Sequence, residues 1–370
     1  MGLIYHATNR NPDNAAAPSN YGIDFNGPPP GRLIFGCADV TVLPGHTLDG
    51  RPNEAQSPAA VRLSDPSSGD FSAVAKQAII DGPPHLILCV HGFQYLFWES
   101  VVRADYLSRC FAEGGFANPN TVVMFGWPSA GDLLEYERDY RNAGESGAAL
   151  AQALAVLEPL IGNFRARHGN AARVTLLAHS MGNHVTDAAL AAAPPAASPS
   201  YDRILLVAAD ESRNELSPAG HLAVGLTFAN RVYVYYNNQD IPLAISGPVY
   251  HDFVIRLGID GPPNKDDFKG RNVSFINASA VNYGDLQNPK DSERHQYYRM
   301  IPEVRDDICA VMRMVADNAI PNRVYRDDPR YGWENYWRIN AIAATTVVNP
   351  PPHSRDVDSP SPALGPPQRL

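Results

Sequence analysis

Six short apolar runs, rich in β-branched residues, each stop at a polar or glycine-bearing turn: His85–Val90, Thr121–Phe125, Val174–Ala178, Ile204–Ala209, Arg231–Tyr236 and Val273–Ile276. They are apolar throughout rather than alternating, the pattern of strands buried on both faces. Helical spacing fills some of the gaps. Leu150, Leu154, Leu157, Ile161 and Phe164 form one stripe on a helix face, with Pro159 expected to kink or break it. Val304, Ile308, Val311 and Val315 repeat the pattern after Pro302, which suits a helix start. Strands alternating with helices predict an α/β fold with an open, mostly parallel central sheet. Ligands of such sheets bind beyond the carboxyl ends of the strands, so the turns after each run are the places to search.

Composition narrows the classes. The chain has 370 residues, 44% of them hydrophobic, enough for a sizeable core. The net charge is −9 with no basic block, which argues against a nucleic-acid partner and against an anionic membrane surface. The 33 prolines and 28 glycines stay below the roughly 25–30% share that marks low complexity. No uninterrupted apolar run approaches the roughly 18 residues needed to span a bilayer, and the first residues lack a signal-peptide pattern. A cytoplasmic location is therefore expected. Cys37, Cys89, Cys110 and Cys309 are far apart and form no metal or redox spacing, so buried thiols are expected. Residues 1–60 read as an N-terminal extension packed on a main domain of residues 61–348. Residues 349–370 read as a Pro-rich disordered tail.

The sharpest local signal is Ala178-His179-Ser180-Met181-Gly182, directly after the run at 174–177. It is a G-x-S-x-G elbow with alanine in place of the first glycine. A nucleophilic serine at the apex of a strand-to-helix turn needs small residues two before and two after it. A hydroxyl is a poor nucleophile unless a base accepts its proton, and the base needs an orienting acid. Two acids end strands after Ser180. Asp240 follows the run at 231–236 by a short turn and is favoured. Asp210 is the alternative, with a second reading as a helix cap before Glu211 and Ser212. The base expected after the last strand is His295, with His251 as runner-up.

Oxyanion donors are expected from the N–H of Met181 and from the His91-Gly92-Phe93 turn, where the N–H of Phe93 is favoured over that of Gln94. His91 and His179 read as structural. Gln94, Trp98, Trp127 and Tyr136 are candidates for lining a substrate pocket, together with other aromatics nearby. The Gly- and Pro-punctuated stretch 245–271 is expected to help form one wall of its entrance.

These pieces together resemble the α/β-hydrolase-fold family of unknown function that carries the number 900, found mainly in bacteria. The resemblance rests on Tyr5-His-Ala-Thr-Asn-Arg, Val90-His-Gly-Phe, Gly126-Trp-Pro-Ser, Tyr136 with Asp139, Ala178-His-Ser-Met-Gly-Asn, Tyr235-Tyr-Asn-Asn-Gln-Asp and His295-Gln-Tyr-Tyr, and covers roughly residues 1–320. It implies a Ser–Asp–His hydrolase with Ser180, Asp240 and His295 at matching positions, and little about substrate. The family's acid is commonly followed by Ala-Leu, whereas Asp240 precedes Ile241-Pro242-Leu243.

Other classes fit less well. His179 and His184 lack the companion glutamate of a zincin helix, and neither dinucleotide nor P-loop glycine patterns occur. A binding or scaffold protein on a degenerate hydrolase fold remains the alternative, as do an acyltransferase or thioesterase on the same triad. The expected activity is that of a carboxylic-ester hydrolase acting on a small-molecule acyl substrate through a covalent intermediate, with no cofactor and no metal.

Overall fold

The computed structural model describes residues 2–42, 59–113, 120–192, 198–284, 291, 293–325 and 335–341. The expected tail, 349–370, lies outside the described residues.

Thirteen strands are present among the described residues: β1 (Gly2–Thr8), β2 (Arg10–Pro12), β3 (Tyr21–Phe25), β4 (Ile34–Val42), β5 (Ala59–Ser68), β6 (His85–Val90), β7 (Thr121–Gly126), β8 (Arg173–His179), β9 (Tyr201–Val207), β10 (Ala229–Tyr236), β11 (Val273–Asn277), β12 (Arg323–Tyr325) and β13 (Tyr336–Ile339). Eleven form one sheet in the order β12-β13-β11-β10-β9-β8-β6-β7-β1-β4-β5, and β2 pairs with β3 apart from it. The run from β13 to β1 is parallel throughout. Antiparallel strands close both edges: β12 on one, β4 and β5 on the other.

Both faces are buried, as the apolar runs require. Along β6, Leu86, Leu88 and Val90 enter one core layer while Ile87 and Cys89 enter the other. The first layer is packed by the helices Gly147–His168 and Gly182–Ala192, the second by Phe97–Glu113 and Pro302–Met312. Helix Gly147–His168 is long and apolar enough by composition to cross a membrane. Its face bearing Leu150, Leu157 and Phe164 is nevertheless in the core.

Three expectations are corrected. Pro159 neither breaks nor ends its helix, which runs unbroken from Gly147 to His168. Pro159 and Ala155 are both exposed, so the carbonyl that loses its intrahelical partner can turn to water. Strand β9 ends at Val207 rather than Ala209, because Ala208 adopts φ 45° and leaves the extended conformation. Finally, the described part of the N-terminal extension is more than an outer layer. Strands β1 and β4 belong to the sheet itself, β1 pairing in parallel with β7. This placement reaches the loops at the strand ends. Arg10, fully buried, donates through Nη2 to Tyr95 O at 2.7 Å and through Nη1 to Ser129 O at 3.0 Å, tying together the loops after β6 and β7.

Candidate active site

Ser180 stands between β8 and the helix Gly182–Ala192 with φ 55°, a left-handed conformation that costs a non-glycine residue about 1–3 kcal/mol. The turn is held by its backbone. Ser180 N–H donates to Val207 O at 3.0 Å, and its carbonyl accepts from Asp210 N–H at 3.2 Å. The Asn183 side chain donates to the carbonyls of Ala178, Ser180 and Val207 at 3.0–3.3 Å. The smallness of the motif has a direct cause. A Cβ on Gly182 would lie 2.5 Å from Val90 O and 2.6 Å from His91 O, and one on Gly92 would lie 2.8 Å from Ser180 Cβ. The elbow and the loop after β6 are thus pressed together. At Ala178 the structure takes a methyl group without exposure.

Asp240 is the N-cap of the helix Ile241–Tyr250. Its Oδ1 accepts from Leu243 N–H at 3.1 Å, and Pro242 sits in the first turn, where a missing N–H leaves no bond unmade. The cap fixes the carboxylate, and Oδ2 then accepts from His295 Nδ1 at 2.7 Å. The segment bearing His295 is clamped to the same turn. Ile241 N–H donates to Glu293 O at 3.0 Å, and Asn237 Nδ2 to Arg294 O at 2.8 Å. Both Asp240 and His295 are buried. Burial pushes the Asp240 carboxyl up to about 6, with the His295 charge pulling the other way. Burial alone would lower the His295 pKa, but the Asp240 carboxylate, joined by the charges of Asp291 and Asp210, holds the imidazole above its ordinary value.

Asp210 has a different neighbourhood. It accepts from Arg256 Nε at 2.9 Å, from Ser246 Oγ at 2.6 Å and from the Tyr136 hydroxyl at 2.6 Å. It caps no helix among those described. Burial pushes its carboxyl up, yet Arg256 and the two hydroxyls more than compensate and hold it below the usual range. His251 Nε2 meets the Tyr136 hydroxyl at 2.9 Å and so belongs to this second network. His91 and His179 are buried, and burial lowers both pKa values, that of His91 to about 3. His91 Nδ1 lies 2.8 Å from Gly92 O, and His179 Nε2 lies 3.2 Å from His295 O.

Ser180 and His295 open on one cavity of about 530 Å³. Phe93, Gln94 and Tyr136 line it, as the sequence suggested. Gln94 has φ 65°, which turns the chain sharply beside Ser180. Among the described residues the N–H groups of Phe93 and Met181 have no backbone acceptor outside regular helices and strands. Trp127 and Trp98 are not in the lining, which corrects two sequence expectations. Trp127 is fully buried, stacks on His91 at 5.1 Å and donates to His91 O at 2.8 Å, so it supports the loop from beneath. Trp98 follows Phe97, which is buried against His6 and Tyr21; one residue further round a helix points about 100° away.

Two sets of lining residues carried no motif. Ile241, Leu243, Ile245, Ser246 and Tyr250 come from the helix that Asp240 caps, so the stretch from 245 onward does contribute a wall. Its signal was available: an apolar run directly after the acid turn. Arg103, Gln296 and Arg299 form another wall, and only the proximity of the last two to His295 hinted at them. For metals, the described residues bring together Asp187, Glu215 and His221, whose donor atoms lie within 4.8 Å of one another. None of the three lines the cavity.

A parallel sheet wound on both faces, with a left-handed serine at a strand–helix turn and an Asp–His pair from later strand ends, defines an α/β hydrolase. The comparison with families agrees and is specific: the chain belongs to the family of α/β hydrolases of unknown function, DUF900, whose model matches residues 71–311. No curated protein matches the chain. Among solved structures it is similar to a Trichoderma reesei cutinase in complex with a C11Y4 phosphonate inhibitor. That match has 12% identity and a TM-score of 0.23, covering 43% of this chain and 73% of the cutinase chain. A likeness at that level carries no argument about substrate.

Proposed function

We propose that the protein is a serine hydrolase that cleaves carboxylic esters through a covalent acyl-enzyme. The observation that carries this reading is the 2.7 Å contact between His295 Nδ1 and the buried Asp240 carboxylate, with His295 lining the same cavity as Ser180. In the proposed reaction Ser180 Oγ attacks the acyl carbonyl while His295 Nε2 takes its proton. The N–H groups of Met181 and Phe93 receive the oxyanion. The tetrahedral intermediate collapses, His295 returns the proton to the leaving alkoxide, and the acyl group stays on Ser180. Water then attacks that ester with His295 again as base, releasing the acid and restoring the serine. Asp240 holds the proton on Nδ1 and stabilises the imidazolium. Ile241 and Ile245 are about half exposed at the cavity, which suits an apolar acyl or alcohol portion.

The test is intact-mass spectrometry after exposure to an alkyl fluorophosphonate. One adduct per chain is expected, mapping to Ser180 and missing in Ser180→Ala. A well-folded protein that takes no adduct refutes an activated serine and favours a binding module on the same fold.

A pH profile follows from the charge state of His295. The base must be neutral, and Asp240 raises its pKa above the ordinary 6.5. Protonation below that raised pKa removes the base, so kcat/KM should climb with pH through a midpoint above 6.5 and level off beyond it. A midpoint well below 6.5 would show that Asp240 does not face the base in the free enzyme.

A further inference from the structure

We propose that the cavity contains a cationic subsite built around Arg103 that recognises an anionic group, carboxylate or phosphate, on the substrate. It rests on the ester-hydrolase reading and narrows it to esters that carry a negative charge as well as an apolar portion.

Arg103 lies on the helix Phe97–Glu113, is only 5% exposed, and shares the cavity with Ser180 and His295. A guanidinium has five N–H donors. Here Nη1 donates to Gln296 Oε1 at 2.8 Å, the group lies over the Tyr95 ring at 4.9 Å and also interacts with the Tyr298 hydroxyl, and Nη2 is buried with no hydrogen-bond partner among the described residues. Of the acids on its own helix, Asp105 pairs with Arg109, and Glu99 lies one turn before Arg103. That carboxylate accepts from Leu96 N–H at 2.7 Å and feels Arg10 before Arg103. Among the described residues Arg103 forms no ion pair; a buried cation without a close counterion is costly, and a ligand anion offsets that cost.

Arg299 enlarges the positive wall. Its Nε donates to the same Gln296 Oε1, at 3.1 Å, so two guanidinium groups converge on one neutral carbonyl oxygen. Asp291, also in the lining, is the carboxylate on this side. Its Oδ2 accepts from Gln296 N–H at 2.8 Å, and its charge is felt by His295 and Arg299. Glu293 is exposed at the cavity, and Asp210 on the other wall is already paired with Arg256. Gln296 follows His295 directly, so an anion drawn to Arg103 would rest beside the proposed base. The same cavity offers Ile241, Leu243 and Tyr250 to an apolar chain.

The test compares the p-nitrophenyl monoester of glutaric acid with p-nitrophenyl valerate, which has the same chain length without the terminal carboxylate. Wild-type kcat/KM should favour the charged ester by at least about tenfold, the scale of one charge-assisted hydrogen bond. Arg103→Gln should lower the charged-to-neutral ratio by about 10- to 100-fold, and Arg103→Lys should retain part of it. A wild-type ratio of one or less, or a ratio unchanged in Arg103→Gln, overturns the proposal. The wild-type comparison decides even if the glutamine variant does not fold. Calorimetric titration of glutarate and, separately, inorganic phosphate reads anion binding without turnover. Binding weakened in the Arg103 variants supports the subsite and shows which anion it takes; no binding of either anion to the wild type overturns it. Failure of the hydrolase reading looks different: neither ester is cleaved and no fluorophosphonate adduct forms.

Discussion

Ser180→Ala is expected to lower ester turnover by about 10⁴-fold or more while leaving the fold intact. The size follows from the role: without Oγ no acyl-enzyme forms, and only the oxyanion donors and substrate binding remain to assist water. The fold should survive because the elbow is held by backbone and by Asn183. Ser180 N–H still reaches Val207 O, and the Ser180 carbonyl still accepts from Asp210 N–H and Asn183 Nδ2. Alanine also meets the same left-handed φ of 55° that serine already tolerates. Steady-state hydrolysis of p-nitrophenyl butyrate, paired with a thermal melt, checks both halves. Turnover within tenfold of wild type at an unchanged melting temperature would remove Ser180 from the chemistry.

Legibility in the sequence followed the range of the interactions that decide each feature. The runs at 85–90, 121–125 and 174–178 were readable because central parallel strands are apolar on both faces, whatever their partners. The elbow was readable because the residue types it needs are contiguous, Ala178 to Gly182, even though the crowding that excludes a Cβ from Gly182 comes from the distant loop after β6. Strand β1 was not. Gly2–Thr8 mixes His6 and Thr8 with apolar residues, and only its pairing with β7, more than a hundred residues away, makes it a strand. The same holds for β13, whose parallel partner β11 lies some sixty residues earlier. Two of the aromatic candidates failed for another reason. Trp127 and Trp98 follow strands in the sequence, but the side-chain direction that separates a pocket wall from a buried strut depends on His91 and Phe97 beside them. Asp210 and Asp240 could be ranked from strand order, yet the basis for the difference, a pairing with Arg256 against one with His295, appears only in three dimensions.

That difference yields the second large expected effect, in which the two acids exchange outcomes. Asp240→Asn should reduce kcat by about 10³- to 10⁴-fold, because an amide opposite His295 Nδ1 no longer fixes the proton there or stabilises the imidazolium. Its stability should hold or rise. Asparagine caps a helix as well as aspartate does, and burial already raises the Asp240 carboxyl to about 6, a sign that the fold disfavours its charge. Asp210→Asn should do the reverse. The Asp210 carboxyl sits below its ordinary range and is the counterion of Arg256, which is 2% exposed. Losing that charge strands a buried guanidinium, at a cost of about 3–5 kcal/mol. The linkage has the same sign. A depressed carboxyl pKa contributes stability at neutral pH that is lost as pH falls through the folded-state pKa, and Asp210→Asn should remove that part of the acid dependence. Its kcat per folded molecule should stay within about tenfold, since the Asp210 carboxylate is hydrogen-bonded to Tyr136, Ser246 and Arg256 rather than to the imidazole. Urea unfolding and single-substrate kinetics on both variants read the exchange. If Asp210→Asn proved the more damaging to kcat at equal stability, the orienting role would pass to Asp210, and the Asp240–His295 contact would be only a clamp between two loops.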